Sequence, residues 1–130
     1  SAAAVDDARR RLGARATIER RDARELAELG ETFELVMMLE VLEHIPEPAR
    51  MLPVLERLAA RHLLLSVPWE PFFRGLNLLR GKHVRALGND PEHINHWGRR
   101  GFLDFVGARF RVLEAPCVFP WVMVLCERTG

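Results

Sequence analysis

The run FELVMML at Phe33–Leu39, leading into LEVLEHIPEP at Leu39–Pro48, constrains this chain more than any other feature. A near-continuous apolar stretch of that length, bounded by polar residues, is too short for a core helix. It suits a strand buried on both faces, as in a parallel sheet. A second run, HLLLSV at His62–Val67, is stopped by Pro68 and reads the same way. Between them Pro48 reads as a first-turn helix residue, and Met51, Leu52, Leu55, Leu58 and Ala59 recur at helical spacing. Pro53 inside that stretch is expected to kink the helix or delay its start, because it removes an amide donor and clashes one turn back. Buried strand, helix, buried strand is an α/β pattern.

The flanking segments extend it. Residues 3–12 read as a helix that stops at Gly13, and Ala16–Arg20 as a short strand. Residues 21–32 form a polar connection with a helical turn around Arg24–Leu29. An insert at about 69–97 carries an apolar helix ending near Gly81 and a polar turn region at Asn89–Trp97. Arg99–Ala108 reads as a helix with Phe102, Leu103, Phe105 and Val106 inward. Phe110–Ala115 and Trp121–Glu127 read as an antiparallel strand pair joined around Pro116–Pro120. With 130 residues and no repeat or linker, 1–130 is read as a single domain, large enough to bury a core.

Hydrophobic residues at 48% and charged residues at 28% exclude wholesale disorder. No stretch approaches the roughly 18 apolar residues of a membrane span, so no membrane partner is expected. SAAAVDDARR lacks the apolar core of a signal peptide. Cys117 and Cys126 sit in apolar runs without metal-site spacing and read as buried free thiols, which suits a reducing cytoplasm. Charge is unevenly spread. In residues 31–70 seven glutamates face only Arg50, Arg57 and Arg61, whereas in 71–111 eight basic residues face only Asp90, Glu92 and Asp104. The two stretches read either as a site for a cation or cationic cofactor near an anionic substrate or as two solvated faces.

Ligands of open parallel sheets sit at the carboxyl ends of the strands. Glu40, Glu43 and His44 emerge there, and a helical turn would put them on one face. Two carboxylates and an imidazole in that pattern point to a divalent metal, a general base or simple solvation.

The chain resembles the C-terminal part of a class I S-adenosylmethionine-dependent methyltransferase. The resemblance is carried by RDA at Arg21–Ala23, FELVMMLEVLEHIPEP at Phe33–Pro48, LLLSVPWEP at Leu63–Pro71, EHINHW at Glu92–Trp97 with RRGF at Arg99–Phe102, and the final strand pair. It spans essentially the whole chain. It implies a partial Rossmann-like fold, with the family's strands three to five parallel and an antiparallel strand seven closing the order 3-2-1-4-5-7-6. The family's glycine-rich loop and its ribose-binding acidic residue have no counterpart here. This implies a truncated gene model, or a sheet completed by a longer parent chain or by self-association, with apolar faces and edges otherwise exposed.

The resemblance also implies roles. Asp22 would accept a hydrogen bond from the adenine amino group beside the Ala23 amide, or else act as a plain loop carboxylate. Leu39 and Glu40 would line the methionine part of the cofactor S-adenosylmethionine. Glu40, Glu43, His44 and His93, with His96 as substitute, resemble the magnesium- or manganese-binding set of small-RNA 2′-O-methyltransferases. His44 or His93 would otherwise be a metal-free general base. Trp69, Phe72 and Phe73 are read as acceptor-pocket walls or core, and Trp121 as core. The basic run Arg74–Arg85 would meet an anionic acceptor. Small-molecule O-methylation is the expected activity. The alternatives are RNA methylation and a non-catalytic interaction module.

Overall fold

The computed structural model describes residues 2–70, 72–81 and 94–129. Helix α1 (Ala2–Leu12) ends at Gly13, whose φ of 53° turns the chain where a side chain would be strained. No residue of α1 is buried. Arg9 ties it to the rest by donating to the Ile18 carbonyl at 2.9 and 3.1 Å. Helix α2 (Ala23–Glu28) is capped by Asp22, whose carboxylate accepts from the Arg24 amide at 2.9 Å. Gly30, at φ 75°, then reverses the chain into strand β1 (Phe33–Leu39).

A short 3-10 turn, Pro48–Arg50, leads into α3 (Met51–Leu58). Pro53 is the third residue of α3. Its missing amide falls among the first-turn donors that have no intrahelical partner, so the proline sets the start of the helix and leaves its interior intact. Strand β2 (Ala59–Pro68) follows without a loop. Helix α4 (Phe72–Leu79) lies in the insert, and α5 (Arg99–Gly107) precedes β3 (Phe110–Glu114), the two-residue β4 (Cys117–Val118) and β5 (Trp121–Arg128).

The sheet has the order β1-β2-β5-β3, with β4 attached to β5. β1 and β2 are parallel, and β5 runs antiparallel between β2 and β3. This is the α/β order expected for the closing half of the sheet. One expected element differs. Ala16–Arg20 is no strand: Ala16 has extended dihedrals, but no described strand lies beside this segment to supply a ladder.

Register separates the two faces, because directly paired residues point the same way. One face carries Val36, Leu63 and Cys126, then Met38, Leu65 and Val124, then Val67 and Val122. Helices α3 and α5 cover it with Met51, Leu52, Leu55, Phe102 and Val106, forming a single core. Leu55, Leu63, Leu65, Phe102 and Cys126 are fully buried there, each large side chain contributing about 1.5–3 kcal/mol.

The other face carries Leu35, Met37 and Leu39 of β1 in register with His62, Leu64 and Ser66, and beyond them Leu125 and Met123. Leu35, Met37 and Leu39 are 47%, 55% and 40% exposed. The expectation of burial on both faces therefore fails for β1: no described helix covers its second face, and β2 is its only described neighbour. The bare apolar edge and face expected of a partial sheet are present at this strand. Trp121 is also 37% exposed rather than core, because as the first residue of β5 it points to that same face. Cys126 is a free buried thiol, pushed up to about 12 by burial, while the Cys117 side chain lies outside the description.

Candidate functional site

The carboxyl ends of β1 and β2 converge with the segment 94–97. Glu40 follows β1 with φ 55°, a left-handed conformation uncommon for a residue with a side chain. Two contacts with Ser66 of β2 hold it there. The Glu40 amide donates to the Ser66 carbonyl at 3.2 Å, and the Ser66 hydroxyl donates to Glu40 Oε1 at 2.7 Å. The reversed backbone turns the chain into a 3-10 turn at Leu42–His44.

That turn does not place Glu40, Glu43 and His44 on one exposed helical face. Glu43 is buried, 1% exposed, and its Oε2 has no hydrogen-bond partner among the described residues. Burial pushes its carboxyl above the usual carboxylate range, with the nearby Glu40 charge adding to the rise. His44 is half-exposed, with Nε2 at 3.9 Å from Glu43 Oε1. The departure from helical geometry has a local cause: the left-handed Glu40 ends the strand before any α-turn begins.

Asn95 locks the loop from across the fold. Its side-chain amide donates to the carbonyls of Leu42 at 3.2 Å and Ile45 at 2.6 Å. The amides of Ile94 and Asn95 donate to the Glu43 carbonyl at 2.9 and 3.0 Å. At the other end of the segment, Trp97 bridges to Trp69 and accepts from the Glu70 amide at 3.1 Å. Trp97 also packs on Phe102 and Phe105, which anchors the segment to α5. Asn95, Ser66 and Glu70 were not singled out from sequence. The only sequence signal for Asn95 was its place in INHW, because its two acceptors lie some fifty residues away.

Asp22 sits at the start of α2. A shallow depression of about 350 Å³, lined by Arg24, Ile45, Glu47, Arg50 and Val54, joins that start to the loop after β1. Asp22 spends Oδ1 on its cap, and Oδ2 lies 4.0 Å from Arg24, so capping leaves acceptor capacity for a ligand. The Ala23 amide opens the helix beside it. Leu39 at 40% and Val41 at 39% exposure offer apolar surface next to Glu40.

Of the residues expected to ligate metal, Glu40, Glu43 and His44 are described and His93 lies outside the described residues. No group of three metal-ligating side chains suited to an ion occurs among the described residues. The basic run Arg74–Arg85 extends beyond the description too. Trp69 packs against the core and against Phe72, with ring centroids 4.7 Å apart. Phe72 stays 48% exposed and meets Phe119 edge-on, while the Phe73 side chain lies outside the description. No described helix is long and apolar enough to cross a membrane.

No protein-family model matches the sequence, and no curated protein matches it either. Solved structures do. Magnesium protoporphyrin IX methyltransferase from Synechocystis PCC 6803, with bound S-adenosylhomocysteine, superposes with a TM-score of 0.68 at 21% identity over 96% of this chain and 59% of its own. The N,N-8-amino-8-demethyl-D-riboflavin dimethyltransferase of Streptomyces davawensis gives 0.66 at 18% identity, over 95% of this chain and 39% of its own. The [4+2]-cyclase SpnF gives 0.66 at 15% identity, over 98% of this chain and 62% of its own. The chain thus spans about three fifths of the first of these proteins. A cyclase among them illustrates that a fold does not dictate a reaction. The parallel β1–β2 pair, the antiparallel β5 between β2 and β3, and these likenesses together place the chain in the class I S-adenosylmethionine-dependent methyltransferase fold.

Proposed function

We propose that this chain is the C-terminal part of an S-adenosylmethionine-dependent methyltransferase that acts on an oxygen of a small molecule. The observation that carries the reading is the end of β1, where Glu40 is held in a left-handed turn by Ser66 of β2 beside the exposed apolar side chains of Leu39 and Val41. The donor set fits one side of the cofactor. Asp22 has acceptor capacity for the adenine amino group, the Ala23 amide is a donor beside it, and Leu39 offers apolar surface beside Glu40. S-adenosylmethionine supplies an electrophilic methyl on a sulfonium. The protein's share is to align the acceptor with that methyl, exclude water and remove the acceptor proton.

The rest of the cofactor cradle is assigned to a preceding part of a longer protein, which would also cover the bare face of β1. Two observations support this: Leu35, Met37 and Leu39 are exposed, and the similar structures are longer than this chain. Pairing with a second copy is the competing arrangement. A metal-assisted reaction, with RNA as the acceptor, keeps one supporting observation: Glu43 Oε2 is buried without a partner among the described residues, beside Glu40 and His44.

Calorimetric titration of S-adenosylhomocysteine into the chain, with and without manganese, tests the reading. Saturable binding that Asp22→Ala and Asp22→Asn both weaken is expected, since either change removes the charged acceptor. A folded chain that binds nothing would place the function in a longer parent chain or favour the non-catalytic interaction module. Binding strengthened by manganese and insensitive to it after Glu43→Gln would favour the metal-assisted version.

A further inference from the structure

Glu70 follows Trp69 just past the carboxyl end of β2, and its side chain is only 10% exposed. Neither carboxylate oxygen has a hydrogen-bond partner among the described residues. A buried carboxylate left in that state is strongly disfavoured, so a group that meets it is expected. His96 is such a group: its Nδ1 lies 3.8 Å from Glu70 Oε1, an ion-pair separation longer than a hydrogen bond. The ring is 36% exposed.

The position of His96 is set by its neighbours. Asn95 is bonded to the loop after β1, and Trp97 accepts from the Glu70 amide after β2. His96 is therefore held between the carboxyl ends of the two parallel strands, with a buried carboxylate beside Nδ1. The Glu43–His44 pair differs, being made of adjacent residues in one 3-10 turn. Glu70 and His96 come from separate segments that the fold brings together.

We propose that Glu70 and His96 form a proton-accepting pair, in which Glu70 orients the Nδ1–H of a neutral imidazole and His96 Nε2 takes the proton of an acceptor hydroxyl. The assignment rests on the methyltransferase reading above. The electron pair of the broken O–H bond stays on oxygen, which bonds to the sulfonium methyl. The C–S pair leaves with sulfur as the neutral thioether, and the positive charge ends on the imidazolium. Glu70 acts only through the ring, fixing which nitrogen carries the proton. His96 is the catalytic residue and Glu70 the positioning residue.

The pair is tested in the 130-residue chain by imidazole ¹⁵N chemical shifts, recorded where the rings are neutral, with His96 identified by His96→Gln. Wild-type His96 is expected in the Nδ1–H form, and Glu70→Gln is expected to shift it toward the Nε2–H form that an unpaired imidazole favours. A wild-type ring already in the Nε2–H form, or one that Glu70→Gln does not move, overturns the pair. The wild-type spectrum decides even if Glu70→Gln unfolds the chain. Diethyl pyrocarbonate modification of His96, read by mass, should slow several-fold in Glu70→Gln, and an unchanged rate speaks against a Glu70-oriented base. With catechol as the hydroxyl probe, His96→Gln should lower methyl transfer by about 10²-fold or more, and transfer that survives it overturns the catalytic role. A chain that fails to bind S-adenosylhomocysteine shows that the cofactor site does not form in this chain alone, a result independent of the ring's tautomer, which by itself decides the Glu70–His96 pair.

Discussion

At the scale of single residues, Glu43 makes the clearest statement about pH. Burial raises its carboxyl above the ordinary value of 4.5, so the folded state holds its proton more tightly than the unfolded state does. The stability this provides is present below pH 4.5 and is lost as pH rises through the folded value. Glu43→Gln should therefore gain on the order of 1 kcal/mol at neutral pH relative to wild type, and the gain should shrink in acid. Urea denaturation of both proteins at pH 4 and pH 7.5 checks the sign. Asp22 separates two roles: Asp22→Asn keeps the helix cap, whereas Asp22→Ala should cost about 1 kcal/mol. Parallel melts of the two variants measure that difference. Glu40, Glu43 and His44 were visible from their place after an apolar strand, and Asp22 from RDA. The pairing of Glu40 with Ser66 was not, because a serine inside an apolar run carries no sign of the residue across the sheet.

At the scale of elements, the helical periodicity of Met51, Leu52, Leu55 and Leu58 transfers directly into the buried side of α3. Truncating Leu55, fully buried between helix and sheet, should cost about 2–5 kcal/mol in chemical denaturation. The same truncation at Met37, on the bare face of β1, should change the isolated chain by less than about 0.5 kcal/mol. The two residues are both apolar and both central in their elements, so composition does not distinguish them. What differs is the presence of α3 over one face and of nothing described over the other. Ala16–Arg20 makes the same point from the opposite side: β-branched residues favour extension, but a strand also needs a ladder partner.

At the scale of the molecule, the unpaired edge and apolar face of β1 should drive association or require a covering segment. Sedimentation of the chain at rising concentration should show mass above that of a 14.9 kDa monomer, and Met37→Glu should restore the monomer without unfolding it. A well-folded wild-type monomer at high concentration would remove that expectation. The sequence alone determined the α/β alternation, the apolar strands, the presence of α3 and α5 and the residues that follow β1, because these depend on local period and on proline and glycine at fixed places. Tertiary structure decided which face of β1 is covered, that Glu43 is buried while His44 is half-exposed, and that Asn95 and Glu70 belong to the same end of the sheet. Those outcomes depend on strand order and on contacts between distant segments, and no local pattern of residues encodes them.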